Sequence, residues 1–316
     1  MKFDFLGKNK ERQEIEEEED KTPNLKYFFK LWGRRFTKLL SVNLVALLQF
    51  VPLVAAYLVY FWADTTTSVS ANNLAFPLIQ GVSILDSTSG NLALLTLFAS
   101  QTNLPIITFW MTALRAVFIL LFVVTFGWFN IGHTYLMREM IHGRPVFIFS
   151  DIKYAVKKNA KQGFVLGLID AAIIYILYTN LTTLSDGSMV GFLGDVSYVA
   201  NLAIAIIFII MRFYIYLMAI TFEMKITKII KNAFIFVMLG IKRNLLAILW
   251  IIVLVGINFL VLSLFPPLGL LLPLFYIVTF PMFTTTYAAY PVIKRYMIDP
   301  SPYAQSPTVP SDEEDG

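Results

Sequence analysis

Residues 132–167 read GHTYLMREMIHGRPVFIFSDIKYAVKKNAKQGFVLG, and this stretch decides the fold. A long apolar segment reaches it at Trp128–Tyr135 and gives way to polar residues at Arg138, and a new apolar segment begins at Gly163. Between them lies a basic elbow whose cations are Arg138, Arg144, Lys153, Lys157, Lys158 and Lys161. Two similar passages occur elsewhere in the chain, which predicts that the elbow is the joint of a repeated unit.

The composition predicts a helical protein that crosses a membrane several times. Of the 316 residues, 57% are hydrophobic and only 15% are charged, whereas soluble domains carry roughly a quarter charged residues. The sequence lacks the alternating pattern of a membrane barrel, so the predicted fold class is all-α and polytopic. Residues 1–36 are polar and contain no apolar core of a cleavable signal peptide. The chain has no cysteine, which excludes disulfides and thiol catalysis.

Six apolar segments are long enough to cross a bilayer core of about 30 Å. Thr22 and Pro23 predict the first turn of an amphipathic helix that lies in the membrane interface before the first span. Pro266 and Pro267 predict a tight turn between the last two spans. The six spans are expected near residues 38–62, 105–140, 162–184, 198–222, 244–265 and 268–290.

The distribution of Lys and Arg predicts the topology of a six-helix domain over residues 22–297. Loop 63–105, residues 185–197 and the turn at Pro266 and Pro267 contain no Lys or Arg. The positive-inside rule therefore places both termini in the cytoplasm and loop 63–105 outside. Two polar tails, 1–21 with an acidic run at residues 14–20 and 298–316, are expected to be disordered. The island Leu92–Phe98 is apolar but too short to span.

Three hairpins of the same orientation are predicted, each with an amphipathic interfacial helix in front of it. Asn43–Leu48 (NLVALL) parallels Asn244–Leu249 (NLLAIL), and Lys157–Asn159 is a further basic segment that ends in asparagine. Spans two and four end alike in Tyr135–Met137 and Tyr216–Met218, with a looser echo at Tyr287. The alternative is that helices entering a membrane converge on such basic-then-apolar patterns without a true repeat.

Three ionisable residues, Arg115, Asp170 and Arg212, fall inside the spans and are the candidate ligand-binding residues. At 1.5 Å per residue, Asp170 and Arg212 lie roughly 12–16 Å deep on consecutive antiparallel helices. Charges at this depth usually face a cavity or a partner. Either the two residues form a structural ion pair, or they bind a polar substrate or a proton. Arg115 lies nearer the outer side, where its side chain can reach the interface.

No sequence motif supports an enzymatic function. The chain lacks a Walker A sequence, a GxSxG elbow and an HExxH helix, so ATPase, serine hydrolase and zinc protease activities are unsupported. His133 stands alone as a weak metal or proton candidate, so no metal or cofactor is expected. The basic elbows fit anionic lipid headgroups better than nucleic acid, because they lie beside the spans.

The elbow and its flanks resemble the YesL-like family of bacterial membrane proteins, whose biochemical role is unknown. The resemblance covers residues 36–170 best, and residues 63–127 depart from it by being longer than the family spacing. The matching positions are Asn43 and Leu44 with Pro52, then Gly132, Tyr135 and Arg138, then Gly143–Phe147 with Ser150 and Asp151, then Lys158–Gln162.

The resemblance implies an accessory role in sugar import, because such proteins tend to be encoded beside carbohydrate-uptake systems. We therefore expect a non-enzymatic accessory or scaffold subunit in the bacterial cytoplasmic membrane, with a carbohydrate ABC transporter as a possible partner. The alternative is a small-solute transporter with its site at Asp170 and Arg212. The candidate docking residues of the elbow are Arg138, Arg144, Asp151, Lys153, Lys158, Asn159 and Lys161.

Overall fold

A computed structural model describes residues 23–63, 65–69, 101–185 and 191–299. The described chain is helical apart from one two-stranded ribbon. The helices are α1 Leu25–Leu47, α2 Val51–Leu58, α3 Phe109–Ile141, α4 Ile148–Lys158, α5 Ala160–Ser185, α6 Phe192–Thr221, α7 Ile226–Leu239, α8 Ile241–Leu264, α9 Pro266–Leu271, α10 Pro273–Tyr276 and α11 Thr279–Ile293. A 3-10 turn lies on each side of α2, and a π-helical turn, Lys294–Ile298, follows α11.

The described helices have the length and apolarity of a helical membrane protein, as predicted. Five stretches can each cross a membrane: Leu25–Trp62, α3, α5, α6 and α8. A sixth candidate is the pair Pro266–Tyr276 and Thr279–Ile298, whose two parts are bent by 47°. The tail 1–21, the island 92–98 and residues 300–316 lie outside the described residues.

The chain divides into two compact units. The first comprises residues 1–49 and 124–316, and the second comprises residues 50–123. In the second unit, strands β1 (Thr65–Val69) and β2 (Gln101–Pro105) pair antiparallel with Thr65 opposite Pro105. The sequence analysis did not predict this ribbon. Its threonine-rich first strand, TTTSV, is a local signal for it, because β-branched residues favour strands.

The start of the chain differs from the prediction in two ways. Helix α1 is continuous from Leu25, so the predicted interfacial helix and the first part of the predicted span 38–62 form one helix. The reason is that no proline interrupts residues 25–47. Its N-cap is Asn24, whose Oδ1 accepts a hydrogen bond of 2.8 Å from the Tyr27 N–H, and not the predicted Thr22. The helix changes only at the 3-10 turn Leu48–Phe50, just before Pro52.

The predicted span 268–290 is broken in the structure. Pro266 occupies the first turn of α9 and Pro273 that of α10, where a missing N–H leaves no hydrogen bond unmade. A second break follows at residues 277–278, between α10 and α11. The other spans have nearly their predicted bounds, except that α6 begins at Phe192 and not near residue 198.

Asn43 supplies the hydrogen bonds that the break at residues 277–278 leaves open. Its side-chain N–H donates to the Leu274 carbonyl at 2.7 Å, and its Oδ1 accepts from the backbone N–H groups of Val278 and Thr279 at 3.0 Å each. The Thr279 hydroxyl donates to the Leu39 carbonyl at 3.1 Å. Asn43 is fully buried. Its side chain therefore caps both α10 and α11 and ties α1 to them.

The first helix of the elbow is amphipathic, as predicted. Ala155 is buried, and Lys153 and Lys157 are exposed on the other side of α4. The N-cap is Phe147, whose side chain makes no capping hydrogen bond. Asp151 instead accepts a hydrogen bond from the Phe147 N–H at 2.7 Å, so its carboxylate stabilises the start of the helix from inside the first turn.

Helices α3 and α5 cross at three glycines. A methyl group added at Gly127 would overlap the Gly163 carbonyl oxygen and approach the Gly167 Cα to 2.8 Å. A methyl group added at Gly167 would in turn overlap the backbone of Gly127. The small residues of α5 therefore allow a backbone-to-backbone contact with α3.

The substitution Gly127→Ala is expected to destabilise the protein, because the added methyl group must push α3 and α5 apart. Overpacking of this kind costs about 1–3 kcal/mol. Thermal unfolding in detergent, followed by tryptophan fluorescence, measures the effect as a lower Tm. Gly256→Ala is the matched control, since a methyl group there meets nothing within 4 Å. An equal Tm for both variants would contradict the close crossing.

Candidate functional site

The end of α3 carries a network of charges that the sequence predicted only in part. Glu139 is 6% exposed, and its Oε1 accepts from Arg138 Nη2 at 3.0 Å. Its Oε2 accepts from Arg144 Nη1 at 2.9 Å. Arg138 and Arg144 were singled out in the sequence as docking residues, whereas Glu139 was not. Its signal in the sequence is its position as the only acidic residue in the segment 128–150.

A glycine turn brings Arg144 back onto Glu139. Helix α3 ends at Ile141, and Gly143 follows with φ +74°, a conformation that glycine adopts without strain. The Gly143 N–H donates to the Met140 carbonyl, and the Arg144 N–H donates to the Glu139 carbonyl at 3.0 Å. These two bonds form a Schellman motif, which satisfies the last carbonyls of the helix. The sequence His-Gly-Arg-Pro thus places the Arg144 side chain.

Arg138 joins α3 to the end of α6. Its Nη1 donates to the Ile220 carbonyl at 3.1 Å and to the Thr221 hydroxyl at 3.3 Å. Ile220 and Thr221 belong to the last turn of α6, where carbonyls lack helical partners and the helix dipole is negative. Gln162, at the start of α5, makes a similar link, since its Nε2 donates to the Met224 carbonyl at 2.8 Å. These contacts hold the ends of α3 and α6 and the start of α5 together; we call this end of the first unit the elbow end.

The Glu139 carboxylate, at 2.9 Å, raises the pKa of Arg144 and keeps that guanidinium charged. Burial lowers the pKa of His142, and the nearby guanidinium of Arg144 lowers it further. The His142 ring stands edge-on to Tyr290 with ring centroids 4.6 Å apart. His142 is therefore neutral at pH 7.

The remaining predicted docking residues divide by exposure. Asn159 donates to the Ala155 carbonyl at 2.9 Å and ends α4. Lys153, Lys158 and Lys161 are exposed. A groove of about 1000 Å³ runs between the α4–α5 joint and residues 222–227, and its charged lining is Lys157, Lys158, Lys161, Glu223 and Lys225. We call Lys153, Lys157, Lys158 and Lys161 the elbow lysines.

Asp170 and Arg212 meet inside the apolar part of the first unit. Arg212 Nε lies 2.9 Å from Asp170 Oδ1 and 3.0 Å from Oδ2, to which it donates a hydrogen bond. The Tyr216 hydroxyl donates to the same Oδ2 at 2.7 Å. Asp170 is 5% exposed, and its Oδ1 receives no aligned hydrogen bond. Tyr216 was not singled out as a site residue, although it lies one helical turn beyond Arg212 and so faces the same way.

This polar cluster stands between two cavities. Asp170 is the polar member of an otherwise apolar cavity of about 350 Å³ between α5, α6 and α7. Arg212 and Tyr216 line a second cavity of about 310 Å³ between α3, α6, α8 and α11. The second cavity also carries Asn130, Thr134, Thr285 and Thr286. A small solute with hydroxyl or anionic groups would find donors on its walls.

The other two ionisable candidates lie elsewhere. Arg115 belongs to the second unit, where its guanidinium lies 3.9 Å above the centre of the Tyr60 ring. His133 is buried, and its Nδ1 lies 2.9 Å from the Phe129 carbonyl of its own helix. In the described ranges, no three acidic or histidine side chains group as metal ligands. The reach of Arg115 towards the membrane interface stays a prediction.

The substitution Glu139→Gln is expected to lower the free energy of unfolding by about 2 kcal/mol. Removing one partner of a buried pair costs about 3–5 kcal/mol, and solvent around Arg144, whose side chain is 64% exposed, reduces that value. Denaturation in detergent measures the change. Glu223→Gln is the control, because Glu223 is exposed and forms no ion pair in the described chain. Equal losses in the two variants would contradict the network.

Comparison with known proteins identifies no family for this chain. No protein-family model, curated protein or solved structure matches the chain. The resemblance to the YesL-like family therefore remains an expectation from the sequence. The residues of the elbow end and of the buried pair are the structural basis for a functional proposal.

Proposed function

We propose that this protein is a non-enzymatic accessory or scaffold subunit of the bacterial cytoplasmic membrane. In this proposal it crosses the membrane six times, with the bent pair as the sixth span, and its elbow end and both termini face the cytoplasm. The clustering of Lys and Arg at the elbow end supports this orientation. A threefold repeat of interfacial helix and hairpin is part of the proposal.

The observation that carries the proposal is that some charged residues of the elbow are bonded within the fold, whereas others are exposed. Arg138, Glu139 and Arg144 are bonded to each other and to the end of α6, which makes the elbow rigid. The elbow lysines project from that frame and are exposed. A rigid frame that presents unpaired cations suits the docking of a protein with an acidic surface, because little ordering is needed on binding.

A carbohydrate ABC transporter is the proposed partner, and this choice rests on the sequence resemblance alone. A permease or its ATPase would meet the elbow lysines from the cytoplasmic side. The groove of about 1000 Å³ beside Lys157, Lys158 and Lys161 is wide enough for a segment of such a partner.

Neutralising three of the four elbow lysines is expected to weaken binding of the partner. The full chain, expressed at natural level and purified in gentle detergent, should recover a sugar permease or its ATPase in stoichiometric amount by mass spectrometry. The triple variant Lys153→Gln, Lys158→Gln and Lys161→Gln should lower that recovery about tenfold, because rim charges of this kind steer association.

The matched control carries Lys26→Gln, Lys231→Gln and Lys242→Gln, which removes the same charge from exposed lysines away from the elbow helix α4. Recovery should stay at the wild-type level in this control. Purification of the wild-type chain alone, as a single monodisperse species, would overturn the accessory function in its stable-complex form.

A second candidate function, small-solute transport, is favoured by one observation at the buried pair. Asp170 Oδ1 lacks an aligned hydrogen bond although it is buried, and Asp170 and Arg212 line two different cavities. A buried ion pair whose two members line different cavities is a feature of polar sites in membranes. In this function the pair would open to bind a solute and close behind it.

The double variant Asp170→Asn with Arg212→Gln separates the two functions. Uptake of small sugars and carboxylates into liposomes should be abolished if the pair is a transport site. If the pair is structural, only stability changes. Asp170→Asn alone should then cost about 2–3 kcal/mol, because it leaves the Arg212 charge unpaired in an apolar setting.

In the structural case the double variant should be more stable than Asp170→Asn alone, since both charges are gone. Asp195→Asn is the control for the amide substitution, because Asp195 is exposed at the start of α6. Wild-type liposomes that take up none of the solutes would remove the transport function.

A further inference from the structure

A basic pocket of about 610 Å³ lies at the elbow end, outside both sites described above. Its walls come from the first half of α1, the turn after α3 and the end of α11. We call it the α1–α11 pocket. Its polar lining consists of Arg34, Arg35, His142 and Lys294 together with the tyrosines Tyr27, Tyr287 and Tyr290.

Two cations of the α1–α11 pocket are available to a ligand. The side chains of Arg35 and Lys294 make no hydrogen bond or ion pair in the part of the chain that the structure describes. No acidic residue is among the described residues that line the pocket. The carboxylate of Glu139, on the helix before the turn, is already bonded to Arg138 and Arg144. The Asp299 carboxylate lies close enough to act electrostatically on Tyr290, but it does not line the pocket. The described lining of the pocket therefore carries cations and no carboxylate.

Hydroxyl donors complete the polar wall. Tyr287 is used, since its hydroxyl donates to the Asn24 carbonyl at 2.8 Å and holds the start of α1 in place. The hydroxyls of Tyr27 and Tyr290 have no hydrogen-bond partner within the described residues. Neutral His142 adds a further ring N–H. Leu31 and Ile141 form an apolar part of the same wall.

The chemistry of this wall selects a phosphate. Arginine presents a planar fork that matches a phosphate with two hydrogen bonds, and lysine adds a point charge. Basic pockets between membrane helices at the cytoplasmic side are known to hold anionic headgroups. The volume falls within the range of about 300–1,000 Å³ that is usual for small-molecule sites. Apolar residues beside the cations fit the glycerol portion of a phospholipid.

We propose that the α1–α11 pocket binds a phosphate group, carried by the headgroup of an anionic lipid or by a soluble phosphate. Arg35 and Lys294 bind its oxygens from opposite walls, and Tyr27 and Tyr290 donate hydrogen bonds to it. The bound phosphate joins α1 to α11. The site is independent of the proposed partner docking, because its cations are not the elbow lysines.

The test titrates the full chain in uncharged detergent by calorimetry with short-chain phosphatidylglycerol, short-chain phosphatidylcholine and inorganic phosphate. Phosphatidylglycerol should bind in a 1:1 ratio, and phosphatidylcholine at least tenfold more weakly. Arg35→Gln and Lys294→Gln should each weaken binding about fivefold, which is the effect of one cation near an anionic headgroup. Arg35→Lys, which keeps the charge, should recover part of the loss.

The matched control is Lys26→Gln with Lys231→Gln, which removes two exposed cations that do not line the pocket. Its affinity should equal that of the wild type. Inorganic phosphate in tenfold excess should displace phosphatidylglycerol if the natural ligand is a soluble phosphate, and should fail to displace it if the ligand is a lipid. Either result supports the phosphate site.

Three outcomes would overturn the proposal. The first is no binding of either phosphate compound, and the second is an equal loss in the pocket and control variants. The third concerns the acidic run at residues 14–20, which ends three residues before Pro23 of the pocket wall. The acidic residues of that run are replaced by Gln and Asn. If this variant binds phosphate and the wild type does not, the pocket binds the chain's own carboxylates and not a phosphate.

Discussion

Where a helix ends inside an apolar environment, its free backbone groups must find hydrogen bonds within the protein, because no water is present to supply them. The break between α10 and α11 depends on this constraint. Asn43 meets it by donating to the Leu274 carbonyl and accepting from the N–H groups of Val278 and Thr279. The amide is suited to the task because it is both a donor and an acceptor, and an aspartate would lack the donor. The bend of 47° in the last pair of helices is stable because α1 brings this one side chain to it.

The same constraint explains why buried amides recur in the first unit. Asn244 donates to the Val237 carbonyl near the end of α7 and accepts from the Tyr214 hydroxyl at 2.7 Å. Asn201 donates to the Leu177 carbonyl across the α5–α6 hairpin. Asn43 and Asn244 occupy matching positions of the similar sequences NLVALL and NLLAIL. Asn43 caps the distant break between α10 and α11, whereas Asn244 caps α7, the helix that precedes its own helix α8. Similar sequence at these two places therefore serves similar chemistry with different partners.

Several charged groups at the elbow end are bonded to other groups of the fold. Glu139 neutralises two arginines, and Arg138 closes the end of α6. What remains for recognition is the set of cations that this frame does not use, at the elbow lysines and in the α1–α11 pocket. The buried pair of Asp170 and Arg212 is the other polar feature, and each of the two residues lines a cavity. The proposed functions are assigned to these three polar features.

The sequence by itself determined the class of the protein and the positions of most long helices, since these depend on local composition and on the 1.5 Å rise of a helix. It also placed Asp170 and Arg212 on neighbouring helices. Tertiary structure alone decided that they bond, that Tyr216 joins them and that Glu139 binds Arg138 and Arg144. It also decided where the last span breaks, because Asn43 lies more than two hundred residues before the break. Partners that are distant in sequence are chosen by packing, and no local pattern records them.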